Sequence, residues 1–228
     1  ARRRAAAPAS AGNWPSALAL FVYAAAFSFA YVDLTAATGA LLLFGAVQAT
    51  MIGWGAWRGD RLRGRQAIGF AMAVAGLVGL LLPGLSAPPL AGSALMLAAG
   101  VAWGIYSLRG RGQGDALRVT AGNFARAVVP AAVLSLAFAA SARIDLAGFA
   151  CAVASGALAS GVGYAVWYTA LPALRVATAA TVQLAVPVLA ALGGIVFLAE
   201  PLTLRLVAAS AAILGGIALV IVARKPAA

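Results

Sequence analysis

The sequence contains no histidine, one cysteine and only five acidic residues among its 228 residues. Without histidine, and with Cys151 as the lone thiol, it can assemble neither the usual zinc ligand sets nor an internal disulfide. Charged residues of both signs make up 9% of the chain, whereas a soluble domain has about 25%. These shortages exclude an ordinary soluble domain, a disulfide-stabilised scaffold and most metalloenzymes.

Long apolar runs fill the chain instead. Hydrophobic residues make up 64% of it, and the mean hydropathy is +1.00. The runs do not alternate with polar residues, and a helix crosses a bilayer core with about 20 consecutive apolar residues. Lipid offers the backbone no hydrogen-bond partners, so such runs must be helical. We therefore predict an all-α membrane protein, a single transmembrane domain over 1–228, with eight transmembrane helices at 14–32, 36–57, 66–82, 90–108, 119–140, 146–171, 177–198 and 203–223.

The net charge of +11 is distributed unevenly between the loops. If the N-terminus faces the cytoplasm, thirteen lysines and arginines lie on the cytoplasmic side, and only Arg143 and Arg205 lie on the other. The remaining basic residue, Arg126, falls inside a predicted helix. This asymmetry follows the positive-inside rule. It predicts a multi-pass protein of a bacterial inner (plasma) membrane with both termini of this chain in the cytoplasm, and it argues against a nucleic-acid partner.

A shift of 140 residues aligns the first three predicted helices with the last three. Identical residues then coincide: Val22 with Val162, Ala37-Thr38 with Ala177-Thr178, and Gly76 with Gly216. The copies are five helices apart, and this odd number makes them cross the membrane in opposite directions. We therefore predict an inverted repeat, with 14–82 as the last three helices of the first copy and 90–223 as the five helices of the second. Inverted repeats are typical of secondary transporters, although alanine-rich helices can also resemble one another by chance.

Several stretches resemble a known family: Gly161 to Leu174 (GVGYAVWYTALPAL), Ala177 to Leu202 (ATAATVQLAVPVLAALGGIVFLAEPL) followed by Gly215-Gly216, Ala36 to Leu62 followed by Gly76, and Ala99 to Arg109 (AGVAWGIYSLR). In order and spacing they resemble EamA-type permeases of the drug/metabolite transporter superfamily. The resemblance implies a bundle of ten helices, arranged as five plus five, that acts as an alternating-access permease. It also implies that this chain lacks the first two of those ten helices.

Polar residues inside the predicted helices are the candidates for substrate binding, because polar groups within a membrane are costly and often functional. Arg126, with Asn123 one turn away on the same face, could hold a carboxylate or phosphate. Alternatively, Arg126 extends its charge to the membrane edge or is capped by backbone carbonyls of a neighbouring helix. Gln48 and Gln183 occupy the two repeat-related helices, where they could bind a solute or a neighbouring helix.

Two aromatic residues and a proline complete the candidate set. Trp103 and Tyr164 lie deep in their predicted helices and could form a cavity wall, and the resemblance adds weight to this role. Pro187 removes a backbone donor within its helix, so it could act as a hinge or gate. Proline is, however, also ordinary in membrane helices.

The acidic residues all fall at predicted loops or helix ends. Asp60 and Glu200 are interpreted as caps, each favouring the positive end of the helix that follows it. The sequence shows no nucleophile with a base, no paired acids and no metal-binding pattern, so we predict neither an enzyme nor a cofactor.

The predicted function is the export of amino acids or similar small polar metabolites, with the solute and the lipid bilayer as partners. One alternative is a permease for nucleobases or drug-like solutes. The other is a membrane scaffold that transports nothing.

Overall fold

The computed structural model describes residues 12–59, 64–82, 87–110, 115–170 and 185–222. Within these ranges every regular element is a helix. The elements are α1 (Trp14–Ala30), α2 (Ala36–Trp57), α3 (Arg65–Leu81), α4 (Leu90–Gly110), α5 (Ala116–Ala137), a 3₁₀ turn (Ala139–Ser141), α6 (Leu146–Val153), a π-helical stretch (Ala154–Val162), α7 (Gly163–Ala170), α8 (Ala185–Leu198) and α9 (Leu204–Val222). Wherever the chain is described, these bounds agree with the predicted helices to within three residues.

In the described part of the chain, four helices are long and apolar enough to cross a membrane: Ala36–Trp57, Leu90–Gly110, Leu117–Ala137 and Leu204–Val222. The 17 residues of α1 and of α3 would reach about 25 Å at 1.5 Å per residue, close to the thickness of the hydrocarbon core. Large apolar side chains lie on the outside of the helices, for example Leu136, which is 75% exposed, and Val222, which is 80% exposed. Such a surface fits lipid rather than water, which supports the prediction of a helical membrane protein.

The chain divides into two compact units. The larger unit contains the described residues of 22–108 and 185–222, and the smaller unit contains those of 12–21 and 109–170. The core of the larger unit is built from α1 to α4 and α9, with Leu42, Met96 and Ile213 fully buried. Within this unit α2 packs against α8, and α3 packs against α9.

Small residues line the interface between α3 and α9 and let the two helices come close together. A methyl group on Gly69 would overlap the backbone carbonyl of Gly216, so the two helices approach at backbone distance. A methyl group on Gly76 would lie 3.1 Å from the backbone nitrogen of Ile213, and one on Gly216 would lie 2.7 Å from the backbone nitrogen of Ala73. Small residues are what membrane helices use to come this close.

Helix α4 approaches α2 in the same way. A methyl group on Gly100 would lie 2.7 Å from the carbonyl oxygen of Leu43, and one on Gly104 would lie 2.8 Å from Cβ of Thr50. The two glycines are four residues apart, so they lie on one face of α4. This face holds α4 in a fixed register along α2.

The smaller unit contains α5 and the helical segment from Leu146 to Ala170. The sequence predicts this segment as a single helix, and the structure adds a π-helical stretch at its centre, Ala154–Val162. At its end, the N–H of Gly163 donates to the carbonyl of Leu158, five residues earlier. Here α5 packs against α7.

Candidate functional site

Asn123 and Arg126 lie on α5 and have different surroundings. Asn123 is buried, with 2% of its surface exposed, and its Oδ1 accepts a hydrogen bond of 2.9 Å from the N–H of Asn13. Gly12, in the left-handed region at φ +79°, makes room for this contact, because a side chain there would collide with Asn123. Asn123 therefore fixes the start of α1 against α5.

Arg126 is half-buried, and its Nη1 donates a hydrogen bond of 2.8 Å to the carbonyl of Gly122, one turn earlier on α5. The sequence raised carbonyls of a neighbouring helix as alternative partners, whereas the acceptor of this bond belongs to α5 itself. Arg126 lies eight residues beyond Arg118, which at 1.5 Å per residue is about 12 Å along the helix.

Tyr164 reaches α5 from α7. Its ring meets that of Phe124 edge to face, with ring centroids 5.7 Å apart. The sequence candidates Asn123, Arg126 and Tyr164 thus belong to the same α5–α7 region of the smaller unit.

An apolar groove of about 480 Å³ runs between α1 and α5 in the same unit. Its walls are Trp14, Leu18, Phe21, Val129, Pro130, Val133, Leu134 and Ala137. Of the predicted substrate residues that the structure describes, none lines this groove, and its walls offer little to bind a polar solute.

Trp103, in the larger unit, belongs to a row of aromatic rings. Its ring lies 4.7 Å from that of Tyr23 and 5.4 Å from that of Tyr106, measured between centroids. On α1 the row continues from Tyr23 to Phe27 at 5.6 Å and from Phe27 to Tyr31 at 4.7 Å. We call these five residues the aromatic row.

Most of the aromatic row is only partly buried, and four of its rings carry a polar atom, the phenol oxygen of tyrosine or the indole nitrogen of tryptophan. Trp103 is a candidate predicted from the sequence, whereas the members of the row on α1 were not predicted. A signal was available, because Tyr23, Phe27 and Tyr31 recur every four residues and so share one face of a helix.

Gln48 lines a small cavity between α2, α3 and α9. The cavity measures about 10 Å³, and the rest of its wall is apolar: Gly45, Ala49, Ile52, Phe70, Ala73, Val74, Leu77, Ile217 and Val220. This volume is at the lower limit for one water molecule, so an amino acid does not fit in this cavity.

The remaining predicted residues are Gln183 and Pro187. Gln183 falls outside the described residues. Pro187 is fully buried near the beginning of the described part of α8. The residues against which a hinge at Pro187 would act, 177–184, are also outside the described part of the chain.

Glu200 corrects one interpretation of the sequence. Its carboxylate does not cap the helix that follows it, because the Oγ1 of Thr203 accepts from the N–H of Leu206 at the start of α9. Instead, Oε1 of Glu200 accepts a hydrogen bond of 2.6 Å from the N–H of Ala36, at the start of α2. Glu200 therefore caps a helix, as predicted, but the helix is α2 rather than α9.

Known proteins resemble this chain over most of its length. Residues 90–222 match the EamA-like transporter family. A protein of Pseudomonas aeruginosa described as "Uncharacterized protein PA1977" is 61% identical over 223 residues, which cover 98% of this chain and 77% of that protein. A solved structure described as "Crystal structure of protein" has a TM-score of 0.61 at 23% identity, over 90% of this chain and 74% of the other, and it bears on the fold alone. The family match, which covers more than half of the chain, and the helical architecture lead to one conclusion: this multi-pass membrane protein belongs to the EamA-like transporter family.

Proposed function

We propose that the protein is a secondary transporter of the bacterial inner membrane that exports amino acids or similar small polar metabolites by alternating access. The family supplies the general activity, which is movement of small solutes across a membrane. The export of amino acids and the alternating-access mechanism are the proposal.

The observation that carries the mechanism is a pair of reciprocal contacts between α3 and α9. Gly76 faces Ile213, and Gly216 faces Ala73. The repeat shift of 140 residues exchanges the two contacts. Contacts between antiparallel helices have this property, and an inverted repeat requires the two helices that the shift superposes to be antiparallel, so the contacts agree with an arrangement of five plus five helices.

The pairing of α2 with α8 supports the same arrangement. Residues 36–57 and 177–198 are the second and the seventh predicted helices, and the shift of 140 superposes them. Transporters built from inverted repeats hold their solute near the midplane between the halves and expose it to each side in turn. Helices α2 and α8 come from different halves, so in this proposal they move relative to each other.

The aromatic row favours a second candidate, a permease for nucleobases or other planar, drug-like solutes. Its five rings offer faces for stacking, and the hydroxyls of Tyr23 and Tyr31 could orient a polar edge. An amino acid needs partners for its charged carboxylate and ammonium groups, from side chains or helix ends, whereas a nucleobase needs stacking and neutral hydrogen bonds.

Counterflow in proteoliposomes tests both candidates. The purified protein is reconstituted, loaded with one unlabelled solute and offered the same solute radiolabelled, across amino acids, nucleobases and planar cations. We expect accumulation of label for amino acids, above that of protein-free liposomes. Accumulation of nucleobases or planar cations alone would select the second candidate. Accumulation of no solute would favour the membrane scaffold.

A further inference from the structure

Glu200 joins two helices that are far apart in sequence. It follows the end of α8, and its carboxylate accepts hydrogen bonds from the N–H groups of Ala36 at 2.6 Å and Ala37 at 3.4 Å. Glu200 is 164 residues from Ala36 and 163 residues from Ala37 in the sequence. Both bonds lie within the larger unit.

At the start of α2, the first three helical N–H groups have no carbonyl partner within the helix and need others. The Oγ1 of Thr35 accepts from Thr38, at 3.3 Å. Glu200 accepts from the other two, so most of this helix start depends on a side chain from another element. A negative charge at a helix N-terminus is also favoured by the helix dipole.

The end of α8 is shaped to deliver this carboxylate. Ala199 adopts a left-handed conformation, with φ 53°, which is costly for a residue with a side chain. The N–H of Glu200 donates to the carbonyl of Gly194 at 3.1 Å. A methyl group on Gly194 would overlap the carboxylate, so glycine at this position leaves the space that Glu200 occupies.

The receiving end of α2 is also closely packed. The ring of Tyr31 occupies the space that a side chain on Gly39 would need, and the Tyr31 hydroxyl donates to the carbonyl of Ala36 at 3.3 Å. Leu34, in the turn between α1 and α2, is only 7% exposed. Glu200 therefore meets an end of α2 that apolar and aromatic side chains also cover.

We propose that Glu200 is a positioning residue that latches the end of α8 to the start of α2 and holds this end of the larger unit closed. The inference rests on the proposed function, in which α2 and α8 belong to different halves and move relative to each other during transport. A carboxylate on backbone N–H groups suits such a contact, because the bonds can break and re-form without repacking a core. The latch requires the charge, so a neutral side chain of the same shape weakens it.

Cysteine labelling of the purified protein in detergent measures the opening directly. The background is Cys151→Ala, which removes the exposed native thiol, and Leu34→Cys introduces the reporter thiol. We expect Glu200→Gln to raise the rate at which a maleimide labels this reporter about tenfold, because replacing a charged acceptor by a neutral one shifts the equilibrium between the closed and open states by about that factor. Gly194→Ala, which displaces the carboxylate without removing it, should have the same effect.

Two controls make the result specific. Asp145→Asn removes a carboxylate that caps its own helix, where Oδ1 accepts from the N–H of Gly148 at 2.6 Å, and it should leave the labelling of the reporter unchanged. A second thiol, introduced by Met96→Cys at a fully buried core position, should stay protected in the Glu200→Gln protein. Unchanged labelling of the reporter, or equal labelling of the reporter and the core thiol, would overturn the latch. Labelling needs no solute, so its result does not depend on the counterflow assay. A failed counterflow assay would refute the proposed function, and unchanged labelling would refute the latch.

Discussion

Arg126 combines a charge within a predicted membrane span with a hydrogen bond to the backbone of its own helix. A guanidinium has five N–H donors, and the bond from Nη1 to the Gly122 carbonyl uses one of them. Its charge within a predicted membrane span is costly unless an opposite charge or dipole compensates it. A solute carboxylate would supply that compensation during transport, and the carbonyl of Gly122 contributes to it in the structure.

The residue-scale prediction concerns anionic solutes. Arg126→Ala should raise their half-saturating concentration in the counterflow assay about tenfold or more, because a hydrogen bond to a charged group contributes about 1.5–3 kcal/mol. Arg126→Lys keeps the charge but not the fork of donors, so its effect should be smaller. Arg143→Ala, which removes a cation from an exposed loop position, is the matched control and should have no effect. If Arg126→Ala transports anionic solutes as well as the parent does, Arg126 has no role in binding them.

Among the helices, α3 and α9 depend most clearly on small residues. Gly216 has no room for a methyl group, because one would overlap the carbonyl of Gly69. Its neighbour Gly215 faces open space, with nothing within 4 Å of an added methyl. The two adjacent glycines of one helix therefore provide an internal comparison.

The element-scale prediction uses this pair. Gly216→Ala should destabilise the protein by about 1–3 kcal/mol, because it forces the two helices apart. Gly215→Ala should be neutral or stabilising, since alanine favours a helix over glycine by about 1 kcal/mol. Thermal unfolding of the two variants in the same detergent would check this. Equal unfolding temperatures would mean that the contact between α3 and α9 tolerates a methyl group.

The sequence predicts the helices better than it predicts the contacts between them, and particular residues show the physical reasons. A run of about 20 apolar residues specifies a membrane helix locally, so the helix bounds could be predicted. The partner of Glu200 lies 164 residues away, and nothing near Glu200 indicates it. The small residues of Ala154–Val162 permit either an α-helix or the observed π-helical stretch, so their composition did not decide between the two. Gln48 was predicted from its polarity, but polarity gives no information on the size of the adjacent cavity.

At the scale of the whole molecule, the contacts within the larger unit agree with the predicted alternation of loops. Glu200 meets the start of α2, and Arg205 donates to the carbonyl of Leu82 after α3. At the same end, a methyl on Gly92 would lie 3.3 Å from the carbonyl of Ala30. The sequence places all of these positions on the side that carries few positive charges. The structure shows that these helix ends lie together. The distribution of positive charge then predicts that they face the non-cytoplasmic side of the membrane.

Val32 and Trp57 test this orientation, because each is 77% exposed and they flank α2 at opposite ends. In the Cys151→Ala background, Val32→Cys should react with a membrane-impermeant maleimide on right-side-out vesicles. Trp57→Cys should react only after the vesicles are permeabilised, since it adjoins the cluster of Arg58, Arg61, Arg63 and Arg65 that the charge rule keeps inside. The reverse pattern would leave α2 as a membrane span but invert the protein. Reaction of both introduced thiols from the same side would show that α2 does not cross the membrane, and the alternation on which the inverted repeat depends would then be lost.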